Sequence, residues 1–210
     1  ILEGSSIQQA QAAQDFAAIF STLSANVQAA RNADQFAAVY TELVDWQLRL
    51  GEAGEEGLLD TVASLVNSLR RDFGEWVVSN YPKWMDGAPD RPLLSVDLVR
   101  EFLVPRLSSD PVYFVVLDCM RLDQWRAIAP LLSEFFDVEE TIHYSILPTA
   151  TPYARNAIFS GQYPDEIAEN HPGWWDASDD EGSLNTFEDE LLAEQLRRLT
   201  GRDVPGHYDK

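Results

Sequence analysis

The sequence predicts two fold classes in one chain: an α-helical bundle over residues 1–106, then the first part of an α/β sheet domain over 107–210. Three observations predict it. Apolar residues recur at helical spacing through the first half. A short, nearly all-apolar run, "PVYFVVLD" at 111–118, opens the second, as expected of a strand buried on both faces of a parallel sheet. Helical and strand-like patterns then alternate, which argues for a sheet with right-handed crossovers.

In the first half, Ser5 or Ser6 is placed to cap a helix carrying Ile7, Phe16, Ile19, Phe20, Leu23 and Val27 on one face. A second helix starts near Asn32–Asp34 and carries Phe36, Val39, Tyr40, Leu43, Trp46, Leu48 and Leu50. "GEAGEEG" at 51–57 reads as an acidic turn. A third helix spans about Leu58 to Asn80 and should end at "YPKWMDGAPDRP", 81–92, where three prolines break helicity. A shorter helix capped by Ser95 carries Val96, Leu98, Val99, Phe102 and Leu103 before Pro105. These helices should pack on each other, with Trp46, Trp76 and Trp84 as core anchors.

In the second half, the strand at 111–118 ends in Asp118, and a helical pattern follows through Leu122, Trp125, Ile128, Leu131 and Leu132. "FFDVEETIHYSIL", 135–147, is rich in β-branched and aromatic residues and fits a longer strand. Thr149 to Ser160 and Thr186 to Leu199 read as helices.

Composition narrows the function. Thirty-five acids against 15 bases give a net charge of −20, and arginine outnumbers lysine 13 to 2. A chain this acidic offers no broad basic surface for nucleic acid. A phosphate-bearing ligand would need a local positive charge, from a metal ion or a helix N-terminus. No apolar run approaches the ~20 residues of a membrane span, so no membrane insertion is expected. The single cysteine, Cys119, excludes an internal disulfide and fits a reducing, cytoplasmic setting.

Ligands of open α/β sheets bind beyond the carboxyl ends of the strands. Asp118 ends the first strand there, and "LPTATP", 147–152, ends the second. Pro152 suits the first helical position, which would make Thr151 the N-cap, its hydroxyl at the positive end of the helix dipole. Either residue alone is an ordinary cap. Together, a carboxylate and a hydroxyl at neighbouring strand ends are a reasonable half of a divalent metal site. Arg155, one turn after Thr151, either contacts a phosphoryl oxygen or pairs with an acid. Arg121 and Asp123 bond each other or the turn. His143 reads as packed, and His171 and His207 lie in poor context for metal spacing.

The segments "VVLDCMRLDQW", "ETIHYSILPTATPYARNAIFSGQYPDEI" and "HPGWW" resemble the PglZ domain of PorX-type response regulators, of the alkaline phosphatase superfamily. Upstream, "FAAVYTELVDWQLRL" resembles the helical segment that links a receiver domain to PglZ in that family. The resemblance implies zinc, two ions in an intact enzyme, held partly by Asp118. It makes the second threonine of the PTxT motif, Thr151 rather than Thr149, the nucleophile and a metal ligand. It also implies Arg155 as a substrate contact. The family usually reads Asp-Asn where this chain has Asp118-Cys119.

The implied function is the output region of a two-component response regulator, a metal-dependent phosphodiesterase or phosphatase acting on nucleotide-type phosphoesters through phosphothreonine. Its partners would be a sensor kinase acting through a receiver domain, and a sigma factor or motor protein of type IX secretion. The alternative is a non-catalytic signalling scaffold toward those partners. The receiver and the downstream Asp and His ligands of the superfamily are not in these residues, so the sequence reads as an internal, inactive fragment.

Overall fold

The computed structural model describes residues 2–107, 110–175 and 185–209, with side chains from Ile7 onward. The chain forms two compact units: Ile1–Arg91 with Cys119–Glu140, and Pro92–Asp118 with Thr141–Lys210.

The first unit is helical, as the periodicity predicts. α1 spans Leu2–Ala29, so Ser5 and Ser6 lie inside the helix and neither caps it. α2, Ala33–Ala53, begins at the N-cap Asn32, whose side chain accepts a hydrogen bond from the Gln35 N–H at 3.0 Å. It ends at Gly54, whose φ of 75° is the left-handed cap glycine accepts most readily. α3, Glu56–Met85, starts earlier and ends later than expected, running straight through Pro82. Proline removes the hydrogen bond to the carbonyl four residues back. That residue, Val78, lies on the exposed face, so water can replace the lost partner.

Phe16, Leu23 and Val27 of α1 meet Phe36, Val39, Leu43 and Leu50 of α2 and Val62, Val66 and Leu69 of α3 in one buried cluster. The tryptophans anchor it: Trp46 packs edge-on against Phe16 with ring centres 5.4 Å apart, and Trp76 lies 5.2 Å from Phe36 and 4.9 Å from Trp84. α4, Leu122–Leu132, packs against α2. Arg126 there bridges Asp45 at 3.2 Å and Glu140 at 3.1 Å, and the Trp125 indole donates to Glu140 at 2.6 Å.

The second unit departs more from expectation. In place of one α-helix capped by Ser95, a 3-10 turn at Ser95–Asp97 leads into a π-helical turn at Val99–Leu103 and a further 3-10 turn at Val104–Arg106. The buried Asp97 carboxylate accepts the Leu94 N–H at 2.9 Å, while the Ser95 hydroxyl is turned to the Ile146 N–H at 3.3 Å. Asp97 therefore does the work expected of Ser95. α5 is Thr151–Ser160, α6 Pro164–Asn170 and α7 Glu188–Thr200.

Neither expected strand forms a ladder among the described residues. The one β-type pairing there is a parallel bridge between Leu94 and Tyr144, closed by N–H···O bonds of 2.8 and 3.1 Å. Burial in 113–117 still alternates with period two. Phe114 and Val116 pack against the cluster of Phe159, Ile167, Trp175 and Leu191, whereas Tyr113, Val115 and Leu117 are exposed. A strand buried on both faces needs neighbours and cover on each side. The described residues cover one face and supply only 93–95 as a partner for 144. Residues 135–143 present exposed surface, yet the His143 ring is enclosed enough that burial lowers its affinity for the proton, in keeping with a packed histidine.

Candidate active site

The chain leaves the 111–118 run through Asp118 and turns at Cys119, whose φ of 58° is left-handed. Outside glycine, that conformation belongs chiefly to Asn and Asp, and a non-glycine residue held in it stores strain.

α5 begins two residues after the Thr149 start of the helical pattern and one residue before the Pro152 start that the capping argument gives. Ala150 is the N-cap, with extended φ and ψ of −64° and 144°. Its carbonyl accepts the N–H groups of Tyr153 and Ala154, both at 3.0 Å. Thr151 is the first helical residue and Pro152 the second; both positions lack intrahelical partners for N–H, so proline fits either. The shift matters chemically. Thr151 is half-buried, and its hydroxyl has no capping duty and bonds no other described residue.

One turn on, Arg155 sits between two carboxylates. One guanidinium nitrogen makes a close ion pair with Glu188, and the other lies 3.5 Å from Asp118. The Arg155 guanidinium thus brings the end of the 111–118 run to the first turns of α5. Glu188 is almost wholly buried at the start of α7. Besides Arg155, it accepts the Asn185 amide at 2.9 Å and the Tyr208 hydroxyl at 2.6 Å. Burial is the largest single influence on Arg155 and works against the cation, yet the hydrogen bonds and charges of Glu188 and Asp118 together outweigh it and raise its affinity for the proton. Burial, then the bond to Glu188, pushes the Tyr208 phenol up to about 12.

The other end of α5 is fixed as firmly. Gly161 closes it with a φ of 63°, and a Cβ there would overlap the Gln195 amide. Oriented to suit its neighbours, that buried amide donates to the Phe159 carbonyl at 2.8 Å and accepts the Gly161 N–H at 3.1 Å. Arg198 donates to the Ser160 carbonyl at 2.6 Å. α7 therefore grips α5 at both ends.

Sequence reasoning names Asp118, Thr151 and Arg155 as candidates but not Glu188, Asn185 or Tyr208, which gather with Arg155 in the structure. An acid in the first turn of a helix is ordinary, so "TFEDELL" disguised Glu188 as one of three surface carboxylates. Arg121 and Asp123 bond each other, at 2.7 and 2.9 Å, on the surface. His171 stacks on Trp174 at 4.5 Å, and exposed His207 pairs with Asp209 at 3.1 Å. Among the described residues, no three His, Cys, Asp or Glu side chains gather into a metal site. Asp118 and Thr151 offer two oxygen donors of the right chemistry, a share of the four that zinc takes.

Two family profiles match. One, described as the PorX response regulator linker domain, covers residues 6–85. The other, described as the BREX system PglZ alkaline phosphatase-like domain, covers residues 98–201. No curated protein matches the chain.

Proposed function

The chain belongs to the PorX-type PglZ proteins, and on that premise we propose that it is the output region of a response regulator whose PglZ half hydrolyses phosphoesters. The observation that carries the reading is the approach of Asp118 to α5 through Arg155, at 3.5 Å, one turn from a Thr151 hydroxyl with no structural duty among the described residues. In this reading 111–118 is a strand of an alkaline phosphatase-like sheet.

Thr151 Oγ is the nucleophile. It bonds to phosphorus as the ester P–O bond breaks and the alcohol departs, and water then hydrolyses the phosphothreonine. Arg155 offers charge to a phosphoryl oxygen. Asp118 and Thr151 are the chain's contribution to a zinc site whose other ligands lie outside the described residues. Zinc, when bound, supplies Lewis-acid stabilisation of phosphoryl charge. The substrate class is a nucleotide-type phosphodiester or phosphomonoester. A sensor kinase acting through a receiver domain would control it in the cytoplasm; among the described residues no helix is long and apolar enough to cross a membrane.

Paired substitutions test this. In the intact parent protein, Thr151→Ala should lower phosphodiester hydrolysis by about three orders of magnitude or more, because nucleophile and ligand are lost together. Thr149→Ala should change it far less. Full activity in Thr151→Ala with loss in Thr149→Ala would move the nucleophile to the other threonine.

One observation favours a second reading. Residues Cys119–Glu140 fall inside the PglZ-matched stretch, yet they belong to the compact unit of the linker helices. A helix shared in this way suits a scaffold that passes the receiver's state to a sigma factor or secretion-motor partner. Partner binding that survives Thr151→Ala and fails on Arg126→Ala would support that reading.

A further inference from the structure

Among the described residues, Glu188 is the most enclosed charge in the second unit, and three donors meet its carboxylate. Arg155, Asn185 and the Tyr208 hydroxyl all bond its carboxylate. A buried carboxylate satisfied this fully has no freedom to turn, so it immobilises whatever it holds. It holds one arm of the Arg155 guanidinium. The other arm meets Asp118 at 3.5 Å, beyond the usual 2.7–3.2 Å of a good N–H···O bond. That second contact is loose, and its carboxylate is 37% exposed, whereas the Glu188 side chain is 1% exposed. The two arms are therefore unequal: one locked inward, one offered at the edge of the site, a turn beyond Thr151.

Resting on the phosphoester reading above, we infer that Glu188 is a positioning residue, fixing Arg155 so that its second arm is presented beside Asp118 to an anionic phosphoryl oxygen. A guanidinium recognises phosphate through the fixed geometry of its N–H groups. Without Glu188 the cation would remain but its orientation would not, and its ordering would have to be supplied on binding. Asn185 and Tyr208 act one step further out, by orienting Glu188.

The test uses the zinc-loaded full-length protein, with bis(4-nitrophenyl) phosphate as substrate and inorganic phosphate as a calorimetric ligand. Glu188→Gln should raise KM and the phosphate Kd about tenfold while kcat falls less, the size expected for losing one charge-assisted contact. Arg155→Gln should weaken phosphate at least as much. The double variant should be no worse than Arg155→Gln alone, because both act through one guanidinium. Glu188→Asp, which keeps the charge, should recover part of the loss. Unchanged KM and Kd in a folded Glu188→Gln, or additive losses in the double variant, would overturn the positioning role. If Glu188→Gln does not fold, Tyr208→Phe decides: about threefold weaker phosphate binding is expected from one lost hydrogen bond, and unchanged binding overturns the inference. Unchanged phosphate binding in Arg155→Gln would instead remove Arg155 as the phosphoryl contact, a separate failure of the underlying reading.

Discussion

The core shared by α1, α2 and α3 is built of Leu, Val and Phe with tryptophans at its edge, whereas the interior beneath α5 and α7 encloses Asn156, Asn185, Glu188 and Gln195. Every residue among the described ones that is both buried and polar, Ser95, Asp97 and Ser160 included, belongs to the second unit. Apolar burial is non-directional and tolerates exchange at constant volume. A buried hydrogen-bond network tolerates no missing member, since each orphaned group costs its full desolvation. The first unit is therefore built to be stable, and the second to hold particular groups in particular places, which is what chemistry requires.

The largest expected effect tests that contrast directly. Glu188→Leu leaves the Arg155 cation without its main partner and should destabilise by about 2–4 kcal/mol, somewhat below the usual loss for a buried pair because Arg155 is 20% exposed. Leu43→Met, at a fully buried site of the first unit, should cost under about 1.5 kcal/mol. Urea unfolding of both variants, followed by tryptophan fluorescence, makes the comparison. A larger loss in Leu43→Met than in Glu188→Leu would break it.

Glycines give a second, smaller contrast. Gly161→Ala places a methyl on the Gln195 amide at a φ of 63° and should destabilise by about 1–3 kcal/mol. Gly74, inside α3, has open space around it, so Gly74→Ala should stabilise by about 0.5–1 kcal/mol. The same substitution thus carries opposite signs in the two units. Equal signs in thermal melts would mean that the cap of α5 relaxes more freely than its contacts allow.

What was legible in the sequence follows the same divide. Helical spacing identifies α1 to α3 because an apolar face is written locally, one residue per turn. The bounds slipped where local rules have exceptions, as at Pro82. The second unit depends on partners distant in sequence: Tyr144 with Leu94, Ser95 with Ile146, Glu188 with Arg155. "PVYFVVLD" states that two faces could be covered but not what covers them, and the described residues cover one. Asp118, Thr151 and Arg155 stood out because they interrupt apolar runs. Glu188 did not, because its burial comes from Tyr208 and α5, which no spacing reports. α6 is legible in "YPDEIAEN", with Pro164 at its first position and Glu166 accepting the Tyr163 N–H at 2.7 Å, yet the sequence reading assigns no element there.

The Tyr208 phenol sharpens the comparison by pH. Its folded value of about 12 lies above the ordinary 10, so the folded state holds the proton more tightly. That contribution is complete below about pH 10 and is lost as pH rises toward 12. Solvent screening of this partly exposed group leaves an effect on the order of 1 kcal/mol. Urea unfolding at pH 9 and pH 11.5 should show a steeper alkaline loss in the parent than in Tyr208→Phe. Identical slopes would mean that the phenol does not feel Glu188.

The smallest expected effect sits where the chain passes from one unit to the other. Cys119 has a φ of 58°, next to Asp118. A side chain with a Cβ pays roughly 1 kcal/mol to stay there, but asparagine pays less because its short amide bonds the local backbone. Cys119→Asn should therefore raise stability by about 0.5 kcal/mol. Cys119→Gly relieves the same strain but loosens the unfolded chain, which offsets the gain. Asparagine should thus be the better of the two in urea titrations. A loss of stability in Cys119→Asn would show that the contacts of the cysteine side chain outweigh its dihedral. A gain in Cys119→Gly larger than in Cys119→Asn would show that the site resists any side chain, and that Asp118 is aimed by a turn glycine would serve best.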